Sequence, residues 1–175
     1  MLRFSKWDIF IESKKVPLGG TIIINGRERA MLNSNNIPIA KDTDSLVKFY
    51  TWFGESIATD SQNRPMVFYH ATNSIFDIFT PGRFGKMGAG IYFTSRSKEL
   101  NIHRRDYEHK YECYLRLEAP MILETPFSTI NDDKHDGIWA RRGQEGEEIK
   151  VYTSSQIKST MNDGSWDVNN DNIYS

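Results

Sequence analysis

Short β-like segments separated by turns fill this chain from Pro65 onward, and they limit the folds that it can adopt. The segments are "MVFYH", "GIYFT", "YECYLRLE", "MIL", "GIWAR" and "EIKVY". They are rich in β-branched and aromatic residues, and they do not alternate with helices as the strands of a parallel, doubly wound sheet do. We therefore expect a mixed α+β domain, built mostly of strands with a few short helices.

A hairpin signal precedes these strands. In "TIIINGRERAML", Asn25 and Gly26 can supply the two positive φ angles of a tight turn between β-branched residues. The polar loop "TDSQNRP" then separates an N-terminal part from the remainder. We divide the chain into an N-terminal extension with the hairpin, residues 1–45, and a main domain, residues 46–175.

Helical signals are fewer. "DTDSLVKFYTWFGES" predicts a short helix that ends at Gly54, and its N-terminal cap can be Asp42, Thr43 or Asp44. "SRSKELNIHRRDYE" predicts a second helix. The C-terminal "TMNDGSWDVNNDNIYS" is polar and turn-rich, so we expect it to be weakly structured by itself.

Composition argues against several function classes. The formal net charge of -1 is unlike that of a protein that binds nucleic acid through a bulk positive field, although it permits a local basic patch. A single cysteine, Cys113, allows no intrachain disulfide, and the histidines lack metal-ligand spacing, so we predict no metal. No apolar run approaches a signal peptide or a membrane span. We expect a soluble, cytoplasmic protein with no membrane partner.

Three polar or aromatic residues lie at strand ends in separate segments: His70 in "VFYHAT", Tyr92 in "GAGIYFTSRSKEL" and Glu148 in "GEEIKVYTSSQIKS". Taken singly, each has an ordinary interpretation as a packed histidine, a core tyrosine or a solvated carboxylate. Their order and spacing together resemble the ADP-ribosyltransferase fold, in the branch shared by diphtheria toxin and the poly(ADP-ribose) polymerases. That fold consists of split antiparallel β-sheets with a few short helices.

The chain more closely resembles the ADP-ribosyltransferase-like domains of polyvalent proteins from phages and related mobile elements. "WFGES", "RPMVFYHAT", "GIYFT" and "SSQIKS…DGSWDVNNDNI" carry this resemblance over roughly residues 45–175. It implies NAD⁺ as co-substrate and His70, Tyr92 and Glu148 as the catalytic residues.

The resemblance also implies how NAD⁺ is held. His70 hydrogen-bonds a ribose hydroxyl, and the backbone of Ala71, where the family usually has glycine, binds the nicotinamide amide. Alanine at that position would be strained if the backbone needed a positive φ. Tyr92 stacks on the nicotinamide, and Glu148 binds the ribose and stabilises its developing positive charge. Thr72 adds a hydroxyl.

The glycine-rich loop before Tyr92 includes Gly90, which we also assign to NAD⁺ binding. The second stacking wall is open between His103 and Tyr107, of which Tyr107 is the one we assign. A rival interpretation takes Glu145-Gly146-Glu147 as the paired-glutamate motif of arginine-modifying enzymes. Enzymes of that class have an arginine on the first strand and a Ser-Thr-Ser motif on the second. This chain has His70 and "YFTS" at those positions, which disfavours the rival interpretation.

The macromolecular target is open between a nucleic-acid base and a protein side chain. The candidate target-binding residues are Arg104, Arg105, Arg141, Arg142 and Gln156. We expect a mono-ADP-ribosyltransferase that acts as a toxin or effector in phage–host conflict, with an antitoxin or other neutralising protein as a possible partner. The alternatives are a catalytically inactive binding module and an NAD⁺ glycohydrolase.

Overall fold

A computed structural model describes residues 20–97, 107–124, 134–141 and 146–175 of the 175-residue chain. Strands dominate these residues, and one α-helix accompanies them. In chain order the elements are β1 (Thr21–Ile24), β2 (Arg27–Ala30), α1 (Thr43–Phe53), β3 (Phe68–Thr72), β4 (Ile91–Thr94), β5 (His109–Leu115), β6 (Met121–Leu123), β7 (Gly137–Arg141), β8 (Glu147–Val151), a 3₁₀ turn (Ser154–Gln156) and β9 (Ile157–Ser159).

The predicted hairpin is confirmed. β1 and β2 pair antiparallel, and the turn between them places Asn25 at φ 51° and Gly26 at φ 77°. The predicted helix is confirmed as well: the side chain of Asp42 caps α1 by accepting a hydrogen bond from Ser45 N at 2.8 Å, and Gly54 follows its end at φ 59°. The domain boundary between residues 45 and 46 stays a prediction.

The larger sheet has seven strands in the order β6-β7-β8-β4-β3-β5-β9. All neighbours are antiparallel except β6 and β7, which are parallel. β3 and β4 are joined by one residue pair, Tyr69 with Thr94, whereas β3 and β5 are joined by five. The sheet is therefore nearly divided between β3 and β4, which agrees with the expectation of split, mostly antiparallel sheets.

Aromatic packing holds α1 against the sheet. Phe49 lies 5.0 Å from Tyr114 of β5 and 4.9 Å from Trp166 of the C-terminal segment, measured between ring centroids. Trp52 Nε1 donates to Ser155 O at 3.1 Å. Burying several large rings at one contact is the kind of packing that dominates the stability of a small domain.

The C-terminal segment has no regular secondary structure, as expected of a segment that is weakly structured by itself, but it is firmly packed against the rest of the chain. The buried ammonium of Lys158 donates to the carbonyl oxygens of Asn170 and Asn172 at 2.8 and 2.9 Å, and also to that of Ser175. Ile173 is fully buried and its N–H donates to Asp77 O. Long-range contacts order this segment without regular secondary structure.

The second predicted helix lies largely outside the described residues, since residues 98–106 are not among them. Within the part of the chain that the structure describes, no helix has the length and apolar character to cross a membrane.

Candidate active site

His70 lies where β3 and β4 stop pairing. One step beyond the single pair of Tyr69 with Thr94, its Nδ1 lies 2.7 Å from the carbonyl oxygen of Tyr92 on β4. A carbonyl oxygen can only accept, so Nδ1 carries the hydrogen and donates it. The imidazole thus spans the division of the sheet in place of a backbone hydrogen bond.

The environment of His70 keeps its ring neutral. Phe79 lies 5.1 Å and Phe93 5.5 Å from the imidazole, between ring centroids. This burial lowers the pKa of His70 below its usual 6.5, and the hydrogen bond to Tyr92 opposes the shift only in part. With Nδ1 protonated and the ring neutral, Nε2 presents a lone pair, which can accept a hydrogen bond from a ribose hydroxyl.

Tyr92 and Glu148 lie on adjacent strands with their side chains on the same face. Tyr92 is paired with Lys150 and Thr94 with Glu148, so Glu148 is the diagonal neighbour of Tyr92 across the β4–β8 pair. Diagonal neighbours on one face of a sheet lie about 7–8 Å apart, within reach of one ligand. The carboxylate of Glu148 is half-buried, whereas Glu147 beside it points to the opposite face.

His70 reaches the site differently. The pairing of Tyr69 with Thr94 puts Tyr69, and by alternation not His70, on the face of Tyr92. His70 joins the other two candidates through the Tyr92 backbone rather than through its side chain. The three residues predicted from the sequence therefore lie on three neighbouring strands, β3, β4 and β8. Their catalytic roles stay predictions.

The backbone at Ala71 removes the concern that alanine would be strained there. Among the described residues, the non-glycine residues with positive φ are Asn25, Asn36, Asn63 and Trp166. Ala71 is a regular strand residue paired with Lys110, so its side chain costs no backbone strain. Thr72 beside it accepts a hydrogen bond from Ser74 N at 3.2 Å, and its own hydroxyl hydrogen can be donated to a ligand.

A glycine-rich loop, residues 81–90, packs against Tyr92. The Tyr92 hydroxyl donates to Gly88 O and accepts from Met87 N at 3.0 Å. Gly85 approaches so closely that a Cβ there would lie 2.4 Å from the phenol carbon of Tyr92. Burial raises the pKa of Tyr92, so the hydroxyl stays protonated and continues to donate. The loop fixes the hydroxyl end of the ring.

Lys150 is a positioning residue that the sequence did not reveal. It is 1% exposed, and its ammonium donates to Met87 O at 2.5 Å and lies 4.8 Å from the ring centroid of Tyr152. Its stem fills the space beside Gly90, where a Cβ would lie 2.6 Å from Lys150 Cγ. Gly90 also has φ 153°, a conformation that other residues rarely adopt. Glycine at this position therefore leaves room for the lysine side chain. The sequence feature that could have indicated this residue is its position two residues after Glu148, which places both side chains on the same face of a strand.

Tyr107 lies beside the end of β3. Its neighbour Glu108 donates its N–H to Asn73 Oδ1 at 3.2 Å, which holds the start of β5 against the residue after Thr72. Tyr107 itself is 37% exposed. It is therefore placed near the predicted nicotinamide-binding backbone, and its stacking role stays a prediction.

Of the predicted target-binding residues, the structure describes Arg141 and Gln156. Arg141 pairs with Glu147, so its side chain is on the opposite face from Glu148, and it lines a separate pocket with Trp139 and Asp60. Arg104, Arg105 and Arg142 lie outside the described residues, as do the alternative residues His103 and Glu145.

Gln156 has a structural role rather than the predicted target-binding one. It is buried, its Nε2 donates to Asp136 O at 2.6 Å and Arg116 O at 3.1 Å, and its Oε1 accepts from Tyr152 N at 3.0 Å and Thr153 N at 3.1 Å. Two donated and two accepted hydrogen bonds use the full capacity of the amide. No polar atom of the side chain is left to contact a target.

In the described part of the chain, no group of three or more His, Cys, Asp or Glu side chains is arranged to hold a metal ion. The residues present supply the kinds of group that NAD⁺ needs: a neutral imidazole for a hydroxyl, an unstrained strand backbone for an amide, an aromatic ring and a carboxylate.

Comparison with protein families gives a match. No curated protein matches the chain. Residues 60–134 match the model of a family described as ADP-ribosyltransferase in polyvalent proteins. The matched stretch contains His70 and Tyr92 but ends before Glu148. It supports ADP-ribosylation, with NAD⁺ as substrate, as the general activity. The resemblance of this chain to the ADP-ribosyltransferases of polyvalent proteins, predicted from its sequence, is thus confirmed over residues 60–134.

Proposed function

We propose that this chain is a mono-ADP-ribosyltransferase that moves ADP-ribose from NAD⁺ to a macromolecular target. The observation that carries the proposal is the hydrogen bond from His70 Nδ1 to the Tyr92 carbonyl, at the point where β3 and β4 separate. It fixes the imidazole with Nε2 as an acceptor and joins two of the three candidate strands within the matched residues.

In this proposal each residue has a stated task. Nε2 of His70 accepts a hydrogen bond from a ribose hydroxyl of the adenosine half. The Ala71 backbone binds the nicotinamide amide, and the ring of Tyr92 contacts the cationic nicotinamide, an interaction of about 1–2 kcal/mol. These contacts hold NAD⁺ in a bent conformation that exposes the bond between nicotinamide and ribose.

Glu148 acts at the transition state. As the bond to nicotinamide breaks, its electron pair leaves with the nicotinamide and positive charge develops on the ribose. A carboxylate already in place stabilises that charge without reorganisation, an effect commonly of 10²–10³ in rate. The 2′-hydroxyl is its hydrogen-bonding partner in the ground state. A nucleophile of the target then bonds to the anomeric carbon and loses its proton to solvent.

Two alternatives remain within the same site. An NAD⁺ glycohydrolase would use water as the nucleophile, and an inactive domain would bind without turnover. The strongest sequence support for an inactive domain is Ala71, which stands where the family usually has glycine. The unstrained strand conformation of Ala71 weakens that support. A role as a toxin or effector in phage–host conflict, opposed by a neutralising protein, is part of our proposal.

Transfer can be tested with NAD⁺ labelled in the adenylate half. The purified protein is incubated with labelled NAD⁺ and cell lysate, and the products are treated separately with nuclease and with protease. We expect a macromolecular label that one of the two treatments removes. Nicotinamide release without any macromolecular label indicates a glycohydrolase, and no nicotinamide release indicates an inactive domain; either result contradicts the proposal.

A further inference from the structure

The loop beside Tyr92 presents an unusual aromatic residue to solvent. Phe84 is 92% exposed, the largest exposure among the exposed apolar side chains of the described residues. Burying a phenylalanine stabilises a protein by about 1.5–3 kcal/mol, so full exposure forgoes that contribution. A single exposed apolar side chain is ordinary by itself, so the residues beside Phe84 on the loop decide whether the ring belongs to a binding surface.

Two cationic residues lie near Phe84 in the sequence of the loop. Arg83 and Lys86 are exposed, and for neither does the structure record a hydrogen bond or an ion pair with the described part of the chain. Residues 81–90 contain these two positive charges and no carboxylate, although the whole chain has a net charge of -1. The loop is therefore a local positive site on a nearly neutral protein.

The loop is held in place rather than merely exposed. At its base, Gly82 and Gly90 exchange backbone hydrogen bonds of 2.9 and 3.0 Å. Towards its C-terminal end, Met87 is held from two directions: its carbonyl accepts from the buried Lys150, and its N–H donates to the Tyr92 hydroxyl. Phe84 and its two cations thus project from an anchored backbone, which lowers the ordering cost of binding.

The loop also places Phe84 next to the proposed site. Gly85, the neighbour of Phe84, lies against the hydroxyl end of the Tyr92 ring. Consecutive Cα atoms are about 3.8 Å apart, so Phe84 begins within one residue of that contact. The backbone of Phe84 is thereby close to the residue proposed to hold nicotinamide.

We propose that Arg83, Phe84 and Lys86 form a platform that binds single-stranded nucleic acid, with one unpaired base stacked on Phe84 and neighbouring phosphates at the two cations. Aromatic rings interleaved with cations are the usual means of binding single strands without reading their sequence. A duplex keeps its bases stacked on one another and offers no free face to the ring. That the bound strand is also the acceptor of ADP-ribose rests on the proposed function.

Binding is tested by fluorescence anisotropy with labelled, mixed-sequence oligonucleotides of single-stranded DNA, single-stranded RNA and duplex DNA, in the absence of NAD⁺. We expect the single strands to bind more tightly than the duplex. Phe84→Ala weakens binding of the single strands about 5- to 150-fold. Phe84→Trp, which keeps an aromatic face, restores it. Inorganic polyphosphate, which has no bases, binds Phe84→Ala and wild type equally.

The contribution of the two cations is measured separately, through the salt dependence of the affinity. Removing two phosphate contacts in Arg83→Gln/Lys86→Gln reduces the slope of log affinity against log salt by about 1.4 for a single strand. The matched controls lie elsewhere on the surface: Lys48→Gln on α1 for charge, and Ile23→Ala, 67% exposed, for apolar area. Neither control changes binding.

The inference is overturned if wild type does not bind single strands, or if Phe84→Ala binds them as Ile23→Ala does. It is also overturned if a lysate label depends on Phe84 and is removed by protease but not nuclease, because the platform then serves a protein. Since the binding assay contains no NAD⁺, a protein that binds single strands without releasing nicotinamide refutes the proposed function and leaves the platform standing.

Discussion

The close approach of Gly85 to Tyr92 gives the sharpest structural prediction. A Cβ at residue 85 would lie 2.4–2.5 Å from two ring carbons and the hydroxyl oxygen of Tyr92. Carbon atoms in contact prefer about 3.5–4.0 Å, so Gly85→Ala forces a shift of about 1 Å. The ring cannot move without loss, because its hydroxyl is held by Met87 N and Gly88 O.

The expected cost follows from those contacts. Losing two neutral hydrogen bonds costs about 1–3 kcal/mol, and overpacking without breaking them costs a similar amount. We therefore expect Gly85→Ala to lower the free energy of unfolding by about 1–3 kcal/mol, measured by urea denaturation. Nicotinamide release falls with it if Tyr92 contacts the nicotinamide.

Gly82 of the same loop is the matched control. Neither glycine has a positive φ, and a Cβ at residue 82 would meet nothing closer than 3.5 Å. Gly82→Ala is expected to change stability by less than about 0.5 kcal/mol. In a Tyr92→Ala background, which removes the ring, Gly85→Ala should cost little. Equal effects of the two alanines, or a cost that persists without the ring, would refute the reasoning.

Two further predictions concern His70 and Gln156. The folded-state pKa of His70 lies below its ordinary 6.5, so the contribution of the neutral imidazole to stability is complete above pH 6.5 and is lost as the pH falls from there through the folded pKa. We expect His70→Asn to remove this part of the pH dependence of the free energy of unfolding. A variant with the same pH dependence as wild type would contradict the prediction. Gln156→Glu removes the amide N–H donors that serve two backbone carbonyls. We expect urea denaturation to show a free energy of unfolding lower by about 1–3 kcal/mol. An unchanged free energy of unfolding would instead indicate a residue that only binds a target.

Local signals allowed much of the fold to be predicted. The hairpin follows from Asn25-Gly26, whose φ angles few other residue pairs adopt, and α1 follows from a capping aspartate and a terminal glycine. Each of these features depends on a few consecutive residues. The strand at each candidate site residue was predictable for the same reason, since β-branched and aromatic runs end in turn residues.

Long-range contacts could not be predicted in this way. The C-terminal segment has no periodicity, and its order depends on distant partners, among them the ammonium of Lys158, which binds carbonyl groups 12 to 17 residues away. Lys150 and Gln156 have polar side chains that are usually exposed, and only the assembled sheet shows them buried with hydrogen-bond partners.

The geometry of the site was predictable in part. The sequence placed His70, Tyr92 and Glu148 on three strands, but not the order of those strands in the sheet. Nor did it show that His70 joins the site through the Tyr92 carbonyl, because that hydrogen bond exists only where β3 and β4 separate. The φ angle of Ala71 likewise needed the structure.

The proposed chemistry is tested most directly by nicotinamide release from NAD⁺ by wild type, Glu148→Gln and Glu147→Gln. The two glutamates are half-buried neighbours on β8 whose side chains point to opposite faces, so the variants differ only in which face loses a charge. We predict that Glu148→Gln lowers the rate by about 10²–10³ and that Glu147→Gln has little effect. Equal rates for wild type and Glu148→Gln, or a loss confined to Glu147→Gln, would contradict the assignment of this site.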